Sequence, residues 1–414
     1  MNDYKPLASQ AKRNNWYAYL ITILPVMMMY KIPILNIGVS TFFALLTALY
    51  LGLLLLQRGN RIRWRIVGPI TLYLLWTVIR SGGSVNGMLL NVAVIIHLMA
   101  ISTGILNIST VKKATIFITT LGATLIIMQT VFHYLLGIHI PMVALDLCLD
   151  SMKQYTQSLT TGFSGMSTLY RPSAFFLEPS HFAQYAILAI TFCLLQDRPL
   201  YKKALLITFG VLLTTSGMGV VLVALTWCWH GLHVLRNSTA SKKVTRTFSM
   251  AIIACVVIMV LMQIPLFQNT IARFLVPKEF SQDGYNAIWG RTLFWDSFIK
   301  PLSGMDLFIG KSAVSRPEVY FTGLMDMLYC YGIIGTVLFY IAVLRMATQN
   351  NSAVTFLALL VGGLMLIANL NGFISLLLFF GVMTSLILSE NSQNDRLAMR
   401  SAWHPQHQKG GVQY

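Results

Sequence analysis

The residues best suited to chemistry lie in one stretch, Tyr170-Arg171-Pro172-Ser173-Ala174-Phe175-Phe176-Leu177-Glu178-Pro179-Ser180-His181-Phe182-Ala183-Gln184-Tyr185. It places a guanidinium, a carboxylate and an imidazole between positions 171 and 181, directly before an apolar segment from Phe182 to Leu195. Carboxylates and imidazoles are the side chains that most often move protons in a reaction. A guanidinium keeps its charge and pairs with phosphate oxygens. The same residues also spell a helix start, with Pro179 near the first turn and Ser180 as a cap. On that plainer reading Glu178 complements the helix dipole and Arg171 faces lipid head groups.

A second group of cations follows: Arg273, Lys278, Arg291, Lys300, Lys311 and Arg316. Arginine forks match phosphate oxygens in pairs, so a basic cluster beside a membrane leaflet suits a lipid-linked phosphate or pyrophosphate. Ordinary head-group contact is the alternative for any one of them. Polar groups at membrane depth form a third set: His97, His133, Asn369, Asn371 and Ser375. Such groups are costly and often functional, although a lone histidine is more often packed and hydrogen-bonded. There is no P-loop, no GxGxxG and no Ser-His-Asp order to support nucleotide-driven or serine-hydrolase chemistry. The cysteines, Cys148, Cys193, Cys228, Cys255 and Cys330, form no CxxC pair and imply neither a disulfide framework nor a zinc site.

Elements that could hold these groups follow from composition. The 414 residues are 56% hydrophobic and 10% charged, with a mean hydropathy of +0.67. A soluble domain is closer to a quarter charged. Repeated apolar runs indicate membrane helices, and about twelve spans are predicted: 16–30, 34–56, 66–80, 88–106, 114–137, 180–196, 203–215, 218–235, 248–267, 321–345, 353–369 and 372–389. The first run begins at Trp16 without a small-residue cleavage site behind it and reads as a retained helix. The chain is thus expected to be one all-α transmembrane domain over 1–390, with a polar cytoplasmic tail over 391–414 that is disordered.

The net charge of +17 sits mostly in short loops, with no basic face interleaved with aromatics, so nucleic acid is not an expected partner. With both termini cytoplasmic, the inside segments carry most of the lysines and arginines, as the positive-inside rule requires. Acidic residues invert this pattern. Asp146, Asp150, Glu178, Glu279, Asp283, Asp296, Asp306, Glu318 and Asp326 are expected outside or at outer helix ends, where orientation does not explain them. Two outer loops are long, about 138–180 and 268–320, and long loops in a compact protein are usually functional or disordered. Residues 287–300 read as a surface helix stopped by Pro301. Around Thr214-Thr215-Ser216-Gly217-Met218-Gly219, two spans meet with almost no loop; this is either a cavity-lining break or a plain tight hairpin.

Several pieces, taken in order, resemble the bacterial O-antigen polymerase and ligase superfamily. Residues 171–180 are similar to its Arg-x-Ser-Gly-x-Phe-x-Glu/Asn-Pro stretch before a helix, and Thr214-Thr215-Ser216-Gly217 to its Ser-rich break. Gly290-Arg291-Thr292-Leu293-Phe294-Trp295, then Lys300-Pro301-Leu302-Ser303-Gly304 and Ile309-Gly310-Lys311, resemble its second outer loop. Tyr331-Gly332-Ile333-Ile334-Gly335 resembles a block in a late helix. The match covers about residues 165–345. Ligases of the superfamily carry a His-Asn pair where this chain reads Val319-Tyr320-Phe321-Thr322, which favours polymerase over ligase. The polymerase spacing of an Arg, ten residues, then Gly is met by Arg273 and Gly284 but not at Arg171, where Phe182 stands in the glycine's place.

The resemblance implies a GT-C-type, metal-independent membrane glycosyltransferase of the bacterial inner membrane. It would join oligosaccharide repeat units of O-antigen, capsule or exopolysaccharide, carried on undecaprenyl pyrophosphate, at the periplasmic face and without a cofactor. A chain-length regulator and a glycan flippase would be its partners, besides membrane lipids. The implied catalytic residues are Arg171 and Arg291 for the leaving pyrophosphate and Glu178, with His181 in reserve, for the acceptor's proton; Arg273, Arg316, Lys311 and Tyr185 would bind substrate. A flippase or transporter of lipid-linked glycans, a ligase, and a non-catalytic export scaffold are the competing readings.

Overall fold

A computed structural model of the chain describes residues 15–34, 37–58, 62–142, 145–149, 170–196, 198–236, 263, 268, 294–317, 321–367 and 372–403. These form α1 (Asn15–Ile23), α2 (Val39–Arg58), α3 (Trp64–Ile79), α4 (Val85–Ser102), α5 (Ile108–Leu136), α6 (Pro179–Leu194), α7 (Tyr201–Leu213), α8 (Gly217–Arg236), a short α9 (Gly304–Ile309), α10 (Gly323–Ala347), α11 (Ser352–Ile367) and α12 (Gly372–Trp403). A two-stranded antiparallel hairpin, β1 (Lys31–Ile32) and β2 (Ile37–Gly38), links α1 to α2. Six of the described helices are long and apolar enough to cross a membrane, and two more are apolar but shorter. The protein is an all-α, multi-pass membrane protein.

Local sequence explains where the helices begin and end. Ser84 accepts from the Gly87 N–H at the start of α4, Asn107 from Ser109 and Thr110 at the start of α5, and Thr322 from Met325 at the start of α10. Each satisfies amide groups that a helix start leaves without partners. Gly137, at φ 67°, ends α5 in the left-handed conformation that glycine adopts cheaply.

Two helices are enclosed by protein. In α6, every residue from Phe182 to Leu194 is buried. In α12, 78% of the apolar window is buried, against 50% or less in the other long spans. A helix apolar on all sides belongs in the interior of a bundle. Small residues let neighbours approach α6 closely: a Cβ added to Gly122 of α5 would lie 2.9 Å from the Phe182 ring, and one added to Gly219 of α8 would lie 3.1 Å from Ala183. Likewise, Gly210 of α7 faces Ala123 of α5. Small interface residues are the usual means of close helix packing in membranes.

Hydrogen bonds sort the connections into two ends. At one end Asn107 and Thr110 both donate to Asn15 Oδ1 at 2.9 Å, Arg345 donates to the Arg65 carbonyl, and Asn351 donates to Glu390. At the other, the Leu149 N–H donates to the Met29 carbonyl, Gln129 donates to the Ile140 carbonyl, and Arg80 donates to the Gly310 carbonyl. These bonds tie the helix ends to one another within each group.

Some expectations change in detail. Of the twelve predicted spans, 248–267 lies almost wholly outside the described residues. α7 has 13 residues, a length of roughly 20 Å, which is short of the ~30 Å hydrocarbon layer. The chain expected to be unstructured past 390 continues α12 to Trp403. Extending an existing helix avoids the nucleation cost, and Leu397, Ala398, Met399 and Arg400 are good helix formers. Of the predicted surface helix at 287–300, the described part is a single wide helical turn, Trp295–Ile299, closed by an exposed Lys300–Asp296 pair at 2.6 Å.

Candidate functional site

The stretch 170–178 is folded tightly against the end of α5. The Tyr170 ring stacks on His133 with centroids 3.9 Å apart, and its hydroxyl lies 2.6 Å from His139 Nδ1 and 3.3 Å from the Gln129 carbonyl. Burial, with a smaller contribution from nearby Tyr134, holds the Tyr170 hydroxyl above its ordinary pKa, so it remains protonated at neutral pH. The Gln129 side chain accepts from the Ala174 N–H at 3.0 Å. Ala174 sits at φ 51°, a conformation that side chains rarely adopt, and the Phe176 N–H closes the turn on the Ser173 carbonyl. Thr215 approaches the Tyr170 carbonyl from the hairpin between α7 and α8. Arg171 lies half-buried within this turn.

Of the two alternatives this is the tight hairpin, and it is buried: none of its residues lines the recess described below. Thr214, Thr215 and Ser216 are all buried, and their hydroxyls serve the local backbone. Thr214 accepts from the Ser216 N–H, and Ser216 caps α8 by accepting from Gly219. Short polar side chains make non-helical backbone tolerable inside the bundle.

The start of α6 differs from the simple cap the sequence suggests. Glu178 itself occupies the extended cap position, at φ −139°, and makes no capping bond to the helix amides. Ser180 lies in the first turn and donates to Glu178 Oε2 at 3.0 Å. A carboxylate at a helix start is stabilised by the dipole, and this one is half-exposed rather than folded into the cap.

One turn further, α6 opens onto a narrow recess with internal room for about one water molecule. His181, Gln184 and Tyr185 face it from α6, and Ser375, Leu378 and Phe379 from α12. Both triplets follow the i, i+3, i+4 spacing of one helix face. Pro25, Met28 and Phe176 close the remaining sides. The walls are fixed: Tyr185 donates to the Thr22 carbonyl at 2.8 Å, and the Phe176 ring packs 5.3 Å from Phe182 and 5.5 Å from Tyr185. Tyr185, expected to bind substrate, lines the recess, and its hydroxyl is held by the Thr22 carbonyl of α1.

The cations of the second loop are placed elsewhere. Arg316 pairs with Asp326 at 2.9 Å and stacks over Phe321, and Lys311 lies over the Tyr329 ring. Both belong to a segment docked on a break in α10, where Gly332 has φ 68° and ψ −170°. The break frees carbonyls that are then used by neighbours: Lys311 N–H donates to Tyr329 O at 2.7 Å, and Trp76 Nε1 donates to Tyr331 O at 2.8 Å. Neither Arg316 nor Lys311 is among the residues that line the recess. Arg273 and Arg291 lie outside the described residues, as do Asn369 and Asn371.

Of the intramembrane histidines, His97 is a packed core residue. Its Nδ1 is 2.8 Å from the Tyr17 hydroxyl, its Nε2 is 3.0 Å from the Ala44 carbonyl, and its ring stacks on Tyr17. Gln129 is the site residue that the sequence reading missed. A lone glutamine near the end of an apolar run was the available signal. Among the described residues no group of three His, Cys, Asp or Glu side chains is placed to hold a metal ion.

The arrangement therefore combines a half-exposed helix start bearing Glu178 and His181, an arginine on the adjoining turn, and a recess between the two most enclosed helices. No protein-family model matches the chain, and no curated protein matches it.

Proposed function

We propose that the protein is a membrane glycosyltransferase that polymerises lipid-linked oligosaccharide repeat units at the outer face of a bacterial inner membrane. The observation that carries this reading is the recess at the mouth of α6. His181 lines it, three residues after Glu178 at the start of α6, and Phe176, in the turn that follows Arg171, closes one side. The order of motifs described above supports it from the sequence side. So does the excess of acidic residues assigned to that same end.

The chemistry required is modest. An acceptor hydroxyl on one repeat unit attacks the anomeric carbon of the sugar joined to the carrier pyrophosphate. The new carbon–oxygen bond forms as the bond to the pyrophosphate oxygen breaks. The hydroxyl proton passes to the Glu178 carboxylate, for which His181 is the neighbouring substitute. The negative charge that develops on the departing undecaprenyl pyrophosphate is met by Arg171, with Arg291 as the second arginine. Guanidinium forks suit this work because two parallel N–H groups match two phosphate oxygens.

Reconstitution tests the reading directly. The purified protein is placed in vesicles with lipid-linked repeat units, and products are separated by length. Polymer formation supports the enzyme. Movement of the lipid-linked unit across the bilayer without polymer would assign the protein to transport instead.

A further inference from the structure

We propose that Gln129 is a positioning residue for the Arg171 turn: it holds Ala174 in its left-handed conformation and so fixes where the arginine stands. The inference rests on the glycosyltransferase reading only for the task given to Arg171.

Gln129 meets the first outer loop at three points. Its carbonyl accepts from the Tyr170 hydroxyl at 3.3 Å, its side-chain oxygen accepts from the Ala174 N–H at 3.0 Å, and its side-chain nitrogen donates to the Ile140 carbonyl at 2.9 Å. Tyr170 and Ala174 flank Arg171-Pro172-Ser173, and Ile140 lies at the loop's other end. One carboxamide thus ties the beginning of the loop to its end. Gln129 is 1% exposed. A polar side chain enclosed within a span is costly, and here both of its polar atoms are used. Their roles are set by the partners, because an N–H needs the oxygen and a carbonyl needs the NH₂ group.

The bond to Ala174 matters most. Ala174 stands at φ 51°, a conformation that a residue with a Cβ keeps only where its surroundings hold it. Tyr170 is anchored separately by its stack on His133, and Pro172 has its own φ locked by its ring. Arg171 therefore lies between one fixed point and one held point. Releasing Ala174 lets the turn relax and shifts the arginine, while the Tyr170 stack and the start of α6 stay in place.

The test uses the full-length protein in lipid nanodiscs, with hydrogen–deuterium exchange and polymer formation from lipid-linked repeat units read side by side. Gln129→Met keeps the length of the side chain and removes both polar atoms. Exchange across 170–176 should rise about tenfold, the loss of one hydrogen bond. Polymer per folded molecule should fall about 10- to 100-fold, as for a reacting group displaced by about 1 Å. Adding Ala174→Gly, which adopts the left-handed conformation freely, should recover a good part of that rate. In an Arg171→Ala background, Gln129→Met should cost nothing further, because it acts through that arginine. Gln129→Asn, one carbon too short to reach both partners, serves if Gln129→Met does not fold. The proposal is overturned if the folded variants exchange as the parent does, if Ala174→Gly recovers nothing, or if the losses from Gln129→Met and Arg171→Ala simply multiply. If the reconstituted parent forms no polymer, the polymerase reading falls, and the exchange comparison alone decides whether Gln129 holds the turn.

Discussion

Gly310 and Gly332 meet through bare backbone. A Cβ added to Gly332 would lie 2.5 Å from the nitrogen of Gly310 and 2.3 Å from the Phe308 carbonyl oxygen, and one added to Gly310 would lie 2.5 Å from the backbone of Cys330. Both glycines have positive φ. The docked segment around Lys311 and the break in α10 therefore require each other. Substituting alanine at either position adds the left-handed backbone penalty to a clash with immovable main chain. Gly332→Ala and Gly310→Ala should each lose at least ~2 kcal/mol of stability. The measurement is the loss of monodisperse protein on heating in detergent, and a melting profile equal to the parent's would refute the account.

Arg171 is expected to act on a developing charge. Arg171→Ala should lower polymer formation about 100- to 1,000-fold, the usual cost of removing one preorganised group that stabilises transition-state charge. Arg171→Lys keeps the charge but loses the paired geometry, and should restore only part of the rate. The readout is polymer per folded molecule, with protein abundance measured in parallel. Full activity of the alanine variant would remove the arginine from the mechanism.

The two candidate bases can be separated by matched substitutions. Glu178→Gln keeps the hydrogen bond that the carboxylate accepts from Ser180 but cannot hold a proton, and should cost about 100- to 10,000-fold in rate. His181→Gln, which leaves the carboxylate in place, should cost less. If the order is reversed, with His181→Gln the more damaging, the proton passes to the imidazole and Glu178 has a supporting role.

For His97 the expected effect is on stability alone. Its ring nitrogens are matched to Tyr17 and to the Ala44 carbonyl. His97→Leu keeps the bulk but leaves the buried Tyr17 hydroxyl without this partner, at about 1–3 kcal/mol; the Ala44 carbonyl keeps its place in the α2 ladder. Polymer yield per folded molecule should be unchanged while the melting temperature falls. A drop in specific activity with unaltered melting would show that this buried histidine does more than pack.

The sequence made some of this legible and hid the rest for physical reasons. The helix start at Pro179 and the ionisable groups before it could be read from local chemistry. So could the junction at Ser216-Gly217, although only the structure shows it buried. The centrality of α6 could not be read: a run such as Ala186-Ile187-Leu188-Ala189-Ile190 is apolar on every side, whether it faces lipid or protein. The break at Gly332 was masked for the same reason, because Tyr331-Gly332-Ile333 continues an apolar run without a polar mark. Ser375 was flagged as a polar group near an outer turn. Its convergence with Gln184, far earlier in the chain, is a tertiary fact that no local pattern encodes.

The shortness of α7 has a consequence for the bilayer itself. Tyr201, Leu205 and Phe209 are exposed along its outer side, so lipid meets the protein there over a stretch roughly 10 Å less than the usual hydrocarbon thickness. Acyl chains beside α7 must compress or tilt to match it, at a cost that grows with each ångström of mismatch. Lys202 and Lys203 at the start of the helix can reach up along it to the head groups and relieve part of that strain. The protein would then carry its own dimple in the membrane, next to the hairpin that supports the Arg171 turn, and a head group drifting into the dimple would already sit deeper than its neighbours.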